Sequence, residues 1–114
     1  MLSKETGRVD FALGARAVRD LVRGCDPWPI ASTTLAGEPL KLFRPRRVSG
    51  SGAPGTVIGA DRDGLIVACG PPGGPDGPYN AVAFGELQLP GKKRMPAQAL
   101  LAGRPIPTGT QLGA

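Results

Sequence analysis

Glycine and proline divide this chain into apolar runs that suit only short strands and short helices. The sequence has 18 glycines and 13 prolines among its 114 residues. Proline ends helices and cannot donate a hydrogen bond to a central strand, and glycine favours turns. Such a density raises the question of disorder, but the two residue types punctuate clear apolar runs. With 40% apolar residues, we predict one folded domain with a modest core.

One amphipathic helix precedes a series of strands. Four apolar side chains recur at helical spacing and two prolines follow them: Val18, Leu21, Val22, Cys25, Pro27 and Pro29. The pattern predicts a helix that begins at Ala15 and ends near Gly24. Strand-like segments follow at about 31–35, 39–48, 55–60, 65–69 and 80–89. A second, short helix is predicted at Pro96–Ala102, because proline is well tolerated in a first helical turn.

Turn signals between these segments favour antiparallel pairing. Gly37-Glu38 and Asp63-Gly64 lie between strand-like runs, and the second is typical of a tight hairpin. Five short strands joined by turns predict a small closed antiparallel barrel, a mainly β fold without exposed sheet edges. Residues 1–11 are polar and lack periodicity, so we interpret them as a linker arm, with the folded domain at 12–114.

The residues needed for catalysis or metal binding are scarce. The chain has no histidine, and its two cysteines, Cys25 and Cys69, are too far apart for a Cys-x-x-Cys pair. Both cysteines lie in apolar contexts, so we expect buried, reduced thiols in a cytoplasmic protein. The longest apolar run, Leu65–Cys69, is too short to span a membrane. We therefore expect this chain alone to be neither an enzyme nor a membrane protein.

Two glycine patterns resemble nucleotide-binding loops. Gly50, Gly52 and Gly55 match the G-x-G-x-x-G spacing, but a β-branched strand signal follows where the motif needs a helix. Between Gly85 and Gly91 there is one residue too many for a P-loop, and Lys93 replaces the serine or threonine that binds magnesium. We interpret both as turns.

Charge is the strongest functional signal. The net charge is +5, and no acidic residue occurs after Glu86. Basic residues that we expect on one positive surface are Lys4, Lys41, Arg44, Arg46, Arg47, Lys92, Lys93, Arg94 and Arg104, with Arg8 and the helix arginines near them. Such a surface would attract a polyanion, although solvated cations that bind nothing remain an alternative. Trp28, Phe43 and Phe84 are expected in the core, so a folded RNA recognised by shape is favoured over stacked single strands.

Several segments, taken in order, resemble the C-terminal domain of methionyl-tRNA formyltransferase. They are Leu2–Glu5 with Gly7–Phe11, Cys25–Pro29, Gly52–Val57 and Leu87–Arg104, and the resemblance covers the chain from Leu2 to Gly113. It implies an OB-like barrel that helps to hold initiator methionyl-tRNA. It also implies that residues 1–11 lead from an N-terminal Rossmann-like catalytic domain, which uses 10-formyltetrahydrofolate as formyl donor. No cofactor is expected in this chain itself.

The resemblance assigns roles to a few positions. Lys4 matches a basic linker position beside the RNA, Lys92 and Lys93 match a Gly-Lys-Lys element, and Arg104 matches an arginine after the last helix. The Gly- and Pro-rich segment 70–79 departs from the family's short hairpin turn, and we interpret it as a surface insertion. Two alternatives remain: the barrel of another folate-dependent formyltransferase that acts on nucleotide sugars, and a structural or protein-interaction module.

Overall fold

The fold begins with a short turn and a helix and continues as an antiparallel sheet. The computed structural model describes residues 8–25, 30–61, 64–70 and 79–113. Within them, a 3₁₀ turn at Phe11–Leu13 leads into helix α1, Ala15–Gly24. Six strands and a second helix follow in chain order: β1 Ser32–Leu35, β2 Glu38–Val48, β3 Val57–Asp61, β4 Gly64–Ala68, β5 Ala81–Gln88, β6 Met95–Pro96 and α2 Ala97–Gly103.

The long strands β2 and β5 form the middle of the sheet. The strand order is β1-β2-β5-β4-β3, with β6 added to β5, and every ladder is antiparallel. No ladder pairs the outer strands β1 and β3 within the described residues. The C-terminal segment 109–113 spans the gap between them instead. Val57 N–H donates to the carbonyl of Thr110 at 2.8 Å, and Gly113 N–H donates to the carbonyl of Thr34 at 2.9 Å.

The core lies between this sheet and one face of α1. The strands supply side chains that are almost fully buried: Leu40, Leu42, Leu65, Val67, Val82 and Phe84. Helix α1 supplies Ala15, Val18 and Val22 from its apolar face. The ring of Phe11 packs edge-on against Phe84, with centroids 6.4 Å apart. Burial of each large apolar side chain contributes about 1.5–3 kcal/mol to folding, so this shared cluster stabilises helix and sheet together.

The predicted fold class is confirmed: a mainly β, barrel-like antiparallel fold with an N-terminal and a short C-terminal helix. The predicted closure by strand pairing is not found in the described residues, because the sheet stays open between β1 and β3. Helix α1 has the predicted bounds, and the five predicted strands are present with ends that differ by one or two residues. Helix α2 begins at Ala97, one residue later than predicted, because Pro96 keeps an extended ψ of 143° and pairs with β5 through the short strand β6. Cys25 and Cys69 are both buried, as predicted.

Part of the predicted linker arm belongs to the folded core. Val9 and Phe11, which the sequence assigned to the linker arm, are buried in the core, and Val9 N–H donates to the carbonyl of Ser32 at 2.9 Å. The arm's connection to another domain stays a prediction. Trp28, Asp63 and most of the segment 70–79 lie outside the described residues.

Strand β2 changes its backbone conformation at one basic residue, Arg44. Arg44 has a φ of 55° in the middle of the strand, a left-handed conformation that is rare for residues other than glycine. It lies between two register pairs, Phe43 with Glu86 and Pro45 with Phe84. The pairing resumes without a register shift, so the side chain of Arg44 reaches solvent while the ladder continues on both sides.

Candidate nucleic-acid interface

Five basic residues lie along the first half of β2 and in the loop that follows its neighbour β5. Lys41 and Arg44 belong to β2, and the other three lie in the loop between β5 and β6. We call these residues the basic cluster: Lys41, Arg44, Lys92, Lys93 and Arg94. All five are exposed. Through Glu86 the structure brings together the side chains of Arg44 and Arg94, which are 50 positions apart in the sequence.

Backbone pairing and one side chain hold the basic loop next to β2. Lys41 lies opposite Gln88 in the β2–β5 register. The side-chain amide of Gln88 donates to the carbonyl of Lys92 at 2.9 Å, and Lys92 N–H donates to the carbonyl of Leu89 at 3.1 Å. A shallow cleft, lined in part by Lys41, Gln88 and Gly91, separates the strand from the loop. The loop thus presents its lysines beside Lys41 on a fixed backbone.

The guanidinium group of Arg94 is held by two neighbours. Its Cζ atom lies 3.9 Å from the centroid of the Phe43 ring, a cation–π distance. Its Nε donates to Oε1 of Glu86 at 2.5 Å. Arg44 Nε is 3.9 Å from the same carboxylate oxygen. Phe43 is buried, as predicted, but its ring is covered by Arg94 from outside the main apolar cluster.

Glu86 lowers the charge of the basic cluster only in part. Its carboxylate pairs with Arg94 and lies 3.9 Å from Arg44. The side chains of Lys41, Lys92 and Lys93 form no ion pair or hydrogen bond within the described residues. Three exposed lysines and two arginines beside Glu86 therefore leave this part of the barrel positively charged. Such a surface attracts polyanions.

The remaining predicted residues lie in other settings. Arg46 and Arg47 follow Arg44 along β2, opposite Ala83 and Val82, and Arg47 Nε donates to the carbonyl of Tyr79 at 3.3 Å. Arg104, at the end of α2, pairs with Glu38 at the start of β2, with 3.1 Å between Nη1 and Oε2. Its charge is therefore partly neutralised. Lys4 lies outside the described residues.

One arginine that sequence reasoning grouped only with the helix cations also reaches this region. Arg23, in the last turn of α1, lines a cleft together with Arg44 and Arg94. Helical spacing places Arg23 on the polar face of α1, but that spacing alone does not tell which part of the sheet the face meets. Only the packing of α1 against β2 brings Arg23 to the two other arginines.

Metal binding, dinucleotide binding and membrane insertion find less support in the described residues. In the described part of the chain, no three His, Cys, Asp or Glu side chains are placed to hold a metal ion. Gly50–Gly55 leads into strand β3, so the helix N-terminus that a dinucleotide loop would use against pyrophosphate does not follow. Neither helix of the described residues is long and apolar enough to cross a membrane.

The sequence matches one protein-family model over most of its length. Residues 1–105 match the family described as formyl transferase, C-terminal domain. Among curated proteins, the chain is 51% identical over 113 residues to methionyl-tRNA formyltransferase of Geotalea daltonii. It is 42% identical over 115 residues to the enzyme of the same name from Pseudomonas fluorescens. Each match covers 99% of this chain but only 34% of the relative, so the chain spans about a third of these proteins.

Solved structures share the fold. HypX from Aquifex aeolicus, in complex with tetrahydrofolic acid, superposes with a TM-score of 0.67 at 21% identity. The superposition covers 88% of this chain and 17% of HypX. A variant of the same protein gives a TM-score of 0.69 over 90% of this chain. The same barrel-like fold thus occurs as a small part of a much longer protein.

Proposed function

The chain belongs to the formyl transferase C-terminal domain family, and from this we propose that it is the tRNA-docking part of a methionyl-tRNA formyltransferase. In the complete protein, an N-terminal Rossmann-like domain transfers a formyl group to the amino group of methionine on initiator tRNA. The donor is 10-formyltetrahydrofolate. The residues that bind 10-formyltetrahydrofolate belong to that catalytic domain, and we assign no cofactor to this chain. The setting is translation initiation in the cytoplasm.

The observation that carries the docking role is the basic cluster. A polyanion that replaces counterions at such a surface gains affinity whatever its base sequence. Lys41, Lys92 and Lys93 are exposed on fixed backbone, so their ammonium groups are available to phosphate oxygens. Phe43 and Phe84 are buried, which leaves no described platform in these strands for stacked bases. The cluster therefore suits the outside of a folded RNA, where phosphates are presented by shape.

We assign smaller roles in RNA binding to the other predicted basic residues. Arg46 and Arg47 extend the positive strand away from the basic cluster, and Lys4 in the arm approaches the same RNA. The charge of Arg104 is partly neutralised by its ion pair with Glu38. We therefore expect Arg104 to contribute less to RNA affinity than the loop lysines. We place the main docking surface at the β5–β6 loop and the facing part of β2.

A domain exchange tests this function directly. The C-terminal domain of the Geotalea daltonii enzyme is replaced by this chain, and formylation of initiator methionyl-tRNA is measured as kcat/KM. We expect the chimera to retain activity within about tenfold of the parent, because a docking domain contributes through binding energy that can be exchanged. A chimera that folds but is no more active than the catalytic domain alone would contradict the proposal. Activity only on a nucleotide sugar would favour the other formyltransferase class.

A further inference from the structure

Three arginines from separate parts of the chain line a single cleft. Arg23 comes from the last turn of α1, Arg44 from the middle of β2, and Arg94 from the loop after β5. Val22 and Pro45 complete the lining, and the cleft has a volume of about 440 Å³. No acidic side chain belongs to this lining. A cleft lined by three arginines and no acid suits an anion better than an apolar ligand.

One of the three arginines is held in place by its neighbours. Arg94 rests on the Phe43 ring and donates to Glu86. The backbone of Arg44 has the strained φ of 55° in the middle of a hydrogen-bonded ladder, and such strain is commonly found at ligand clamps. Because Arg94 is preorganised, a ligand that binds it does not have to order that side chain and retains more of its interaction free energy.

The charge of the cleft favours an anion. Glu86 pairs with Arg94 and lies 3.9 Å from Arg44, but the lining itself contains three arginines and no acid. The cleft therefore has a positive charge that attracts a phosphate group. Arginine N–H groups bind two oxygens of one phosphate in a fixed fork. The side chain of Arg44 is 72% exposed, so a phosphate on a large macromolecule can still reach it.

We propose that this cleft binds one phosphodiester group of an RNA backbone and so fixes the RNA's position on the barrel. The proposal rests on the tRNA-docking function above and adds Arg23 to it as a binding residue. Lysines of the basic cluster attract the RNA over distance, whereas the arginine cleft receives a single phosphate. Free inorganic phosphate shares this chemistry, but it lacks the neighbouring phosphates that the basic cluster would hold.

Binding of fluorescently labelled initiator tRNA to this chain, at several salt concentrations, tests the proposal with matched variants. Arg23→Gln and Arg44→Gln each remove one charge from the cleft. Arg16→Gln removes the same charge from α1 two turns away from Arg23, about 10 Å along the helix. We expect each cleft variant to lose about 3- to 10-fold in affinity. Its slope of log K against log salt should fall by about 0.7–0.9. Arg16→Gln should change both quantities much less.

Arginine Nε–Hε NMR resonances of the unmodified chain give a second measurement that needs no variant. Added tRNA should shift Arg23 and Arg44 but not Arg16, and inorganic phosphate alone at the same phosphorus concentration should shift none of them. If wild-type protein binds tRNA while cleft variants match Arg16→Gln, the cleft proposal falls and the docking function stands. Equal shifts with inorganic phosphate would overturn the assignment to an RNA backbone. If the wild-type chain does not bind tRNA, both the cleft proposal and the docking function are contradicted.

Discussion

The side-chain oxygen of Asn80 accepts a hydrogen bond from the backbone N–H of Ala15 at 3.0 Å, so the first turn of α1 is capped from the residue before β5. The usual capping position, Gly14, has no side chain to do this. Both partners are buried, and 65 residues separate them. One amide thus fixes the helix that carries Arg23 to the strand that carries Glu86.

Loss of this tertiary cap should destabilise the whole domain. Asn80→Ala leaves a buried N–H group without its acceptor, and we expect the free energy of unfolding to fall by about 1–3 kcal/mol. Urea denaturation followed by circular dichroism measures this change. Gln98→Ala, on an exposed position of α2, is the control and should stay within about 0.5 kcal/mol of wild type. Equal stabilities for the two variants would show that the cap contributes nothing.

Gly64 should not tolerate a side chain. At its φ of +126°, a Cβ atom would overlap the carbonyl of Phe84 and lie 2.9 Å from Cα of Gly85. Both neighbours are backbone atoms of the central strand β5 and cannot rotate away. We expect Gly64→Ala to cost about 3–5 kcal/mol, from strain and overpacking together, or to prevent folding.

The matched control for Gly64 is Gly37→Ala in the β1–β2 turn. Gly37 also has a positive φ, +83°, but nothing lies within 4 Å of an added Cβ. Gly37→Ala should lower the free energy of unfolding only by the conformational strain, about 1–2 kcal/mol. Thermal melting of both variants checks the difference. Equal tolerance at the two glycines would show that β4 does not approach the β5 backbone closely at Gly64.

Adjacent cations in the basic loop should differ in their structural roles. Arg94→Gln removes the cation–π contact with Phe43 and the hydrogen bond to Glu86, so we expect a loss of about 1–2 kcal/mol. Lys93→Gln, one residue earlier, should change stability by less than about 0.5 kcal/mol. Chemical denaturation measures both. A similar loss for Lys93→Gln would mean that the loop as a whole, and not Arg94, is the stabilising element.

The ion pair between Arg104 and Glu38 should be weak. Their side chains are 42% and 55% exposed, and solvent screens such pairs. A double-mutant cycle with Arg104→Gln and Glu38→Gln should give a coupling free energy below about 1 kcal/mol. A larger coupling would indicate that Arg104 is a structural residue and would weaken its assignment to RNA docking.

Much of the sheet could be predicted because its signals are local. Each strand is a short apolar run that ends at glycine, proline or a polar turn, and Val18, Val22 and Cys25 show the helical period within a few residues. The exact bounds of α2 were less predictable. Pro96 is compatible with a first helical turn and with an extended strand, and only pairing with Glu86 in β5 selects the second.

The candidate site was predictable in composition but not in arrangement. Sequence reasoning identified the cations of β2 and of the loop after β5 because they stand out against an acid-free background. It did not predict the Asn80 cap, the place of Arg23, or the share of charge that Glu86 and Glu38 remove. Each depends on contacts between residues far apart in the chain, which no local pattern encodes.

Salt dependence of tRNA binding by this chain is the most direct test of the central claim. Anisotropy titrations with initiator tRNA are compared for wild type and the double variant Lys92→Gln/Lys93→Gln. We predict micromolar affinity at low salt that falls steeply as salt rises. In the double variant, the slope of log K against log salt should be smaller by about 1.4–1.8, for two lost phosphate contacts. Salt-insensitive binding, no binding at low salt, or an unchanged slope in the double variant would contradict the claim that the basic cluster holds an RNA backbone.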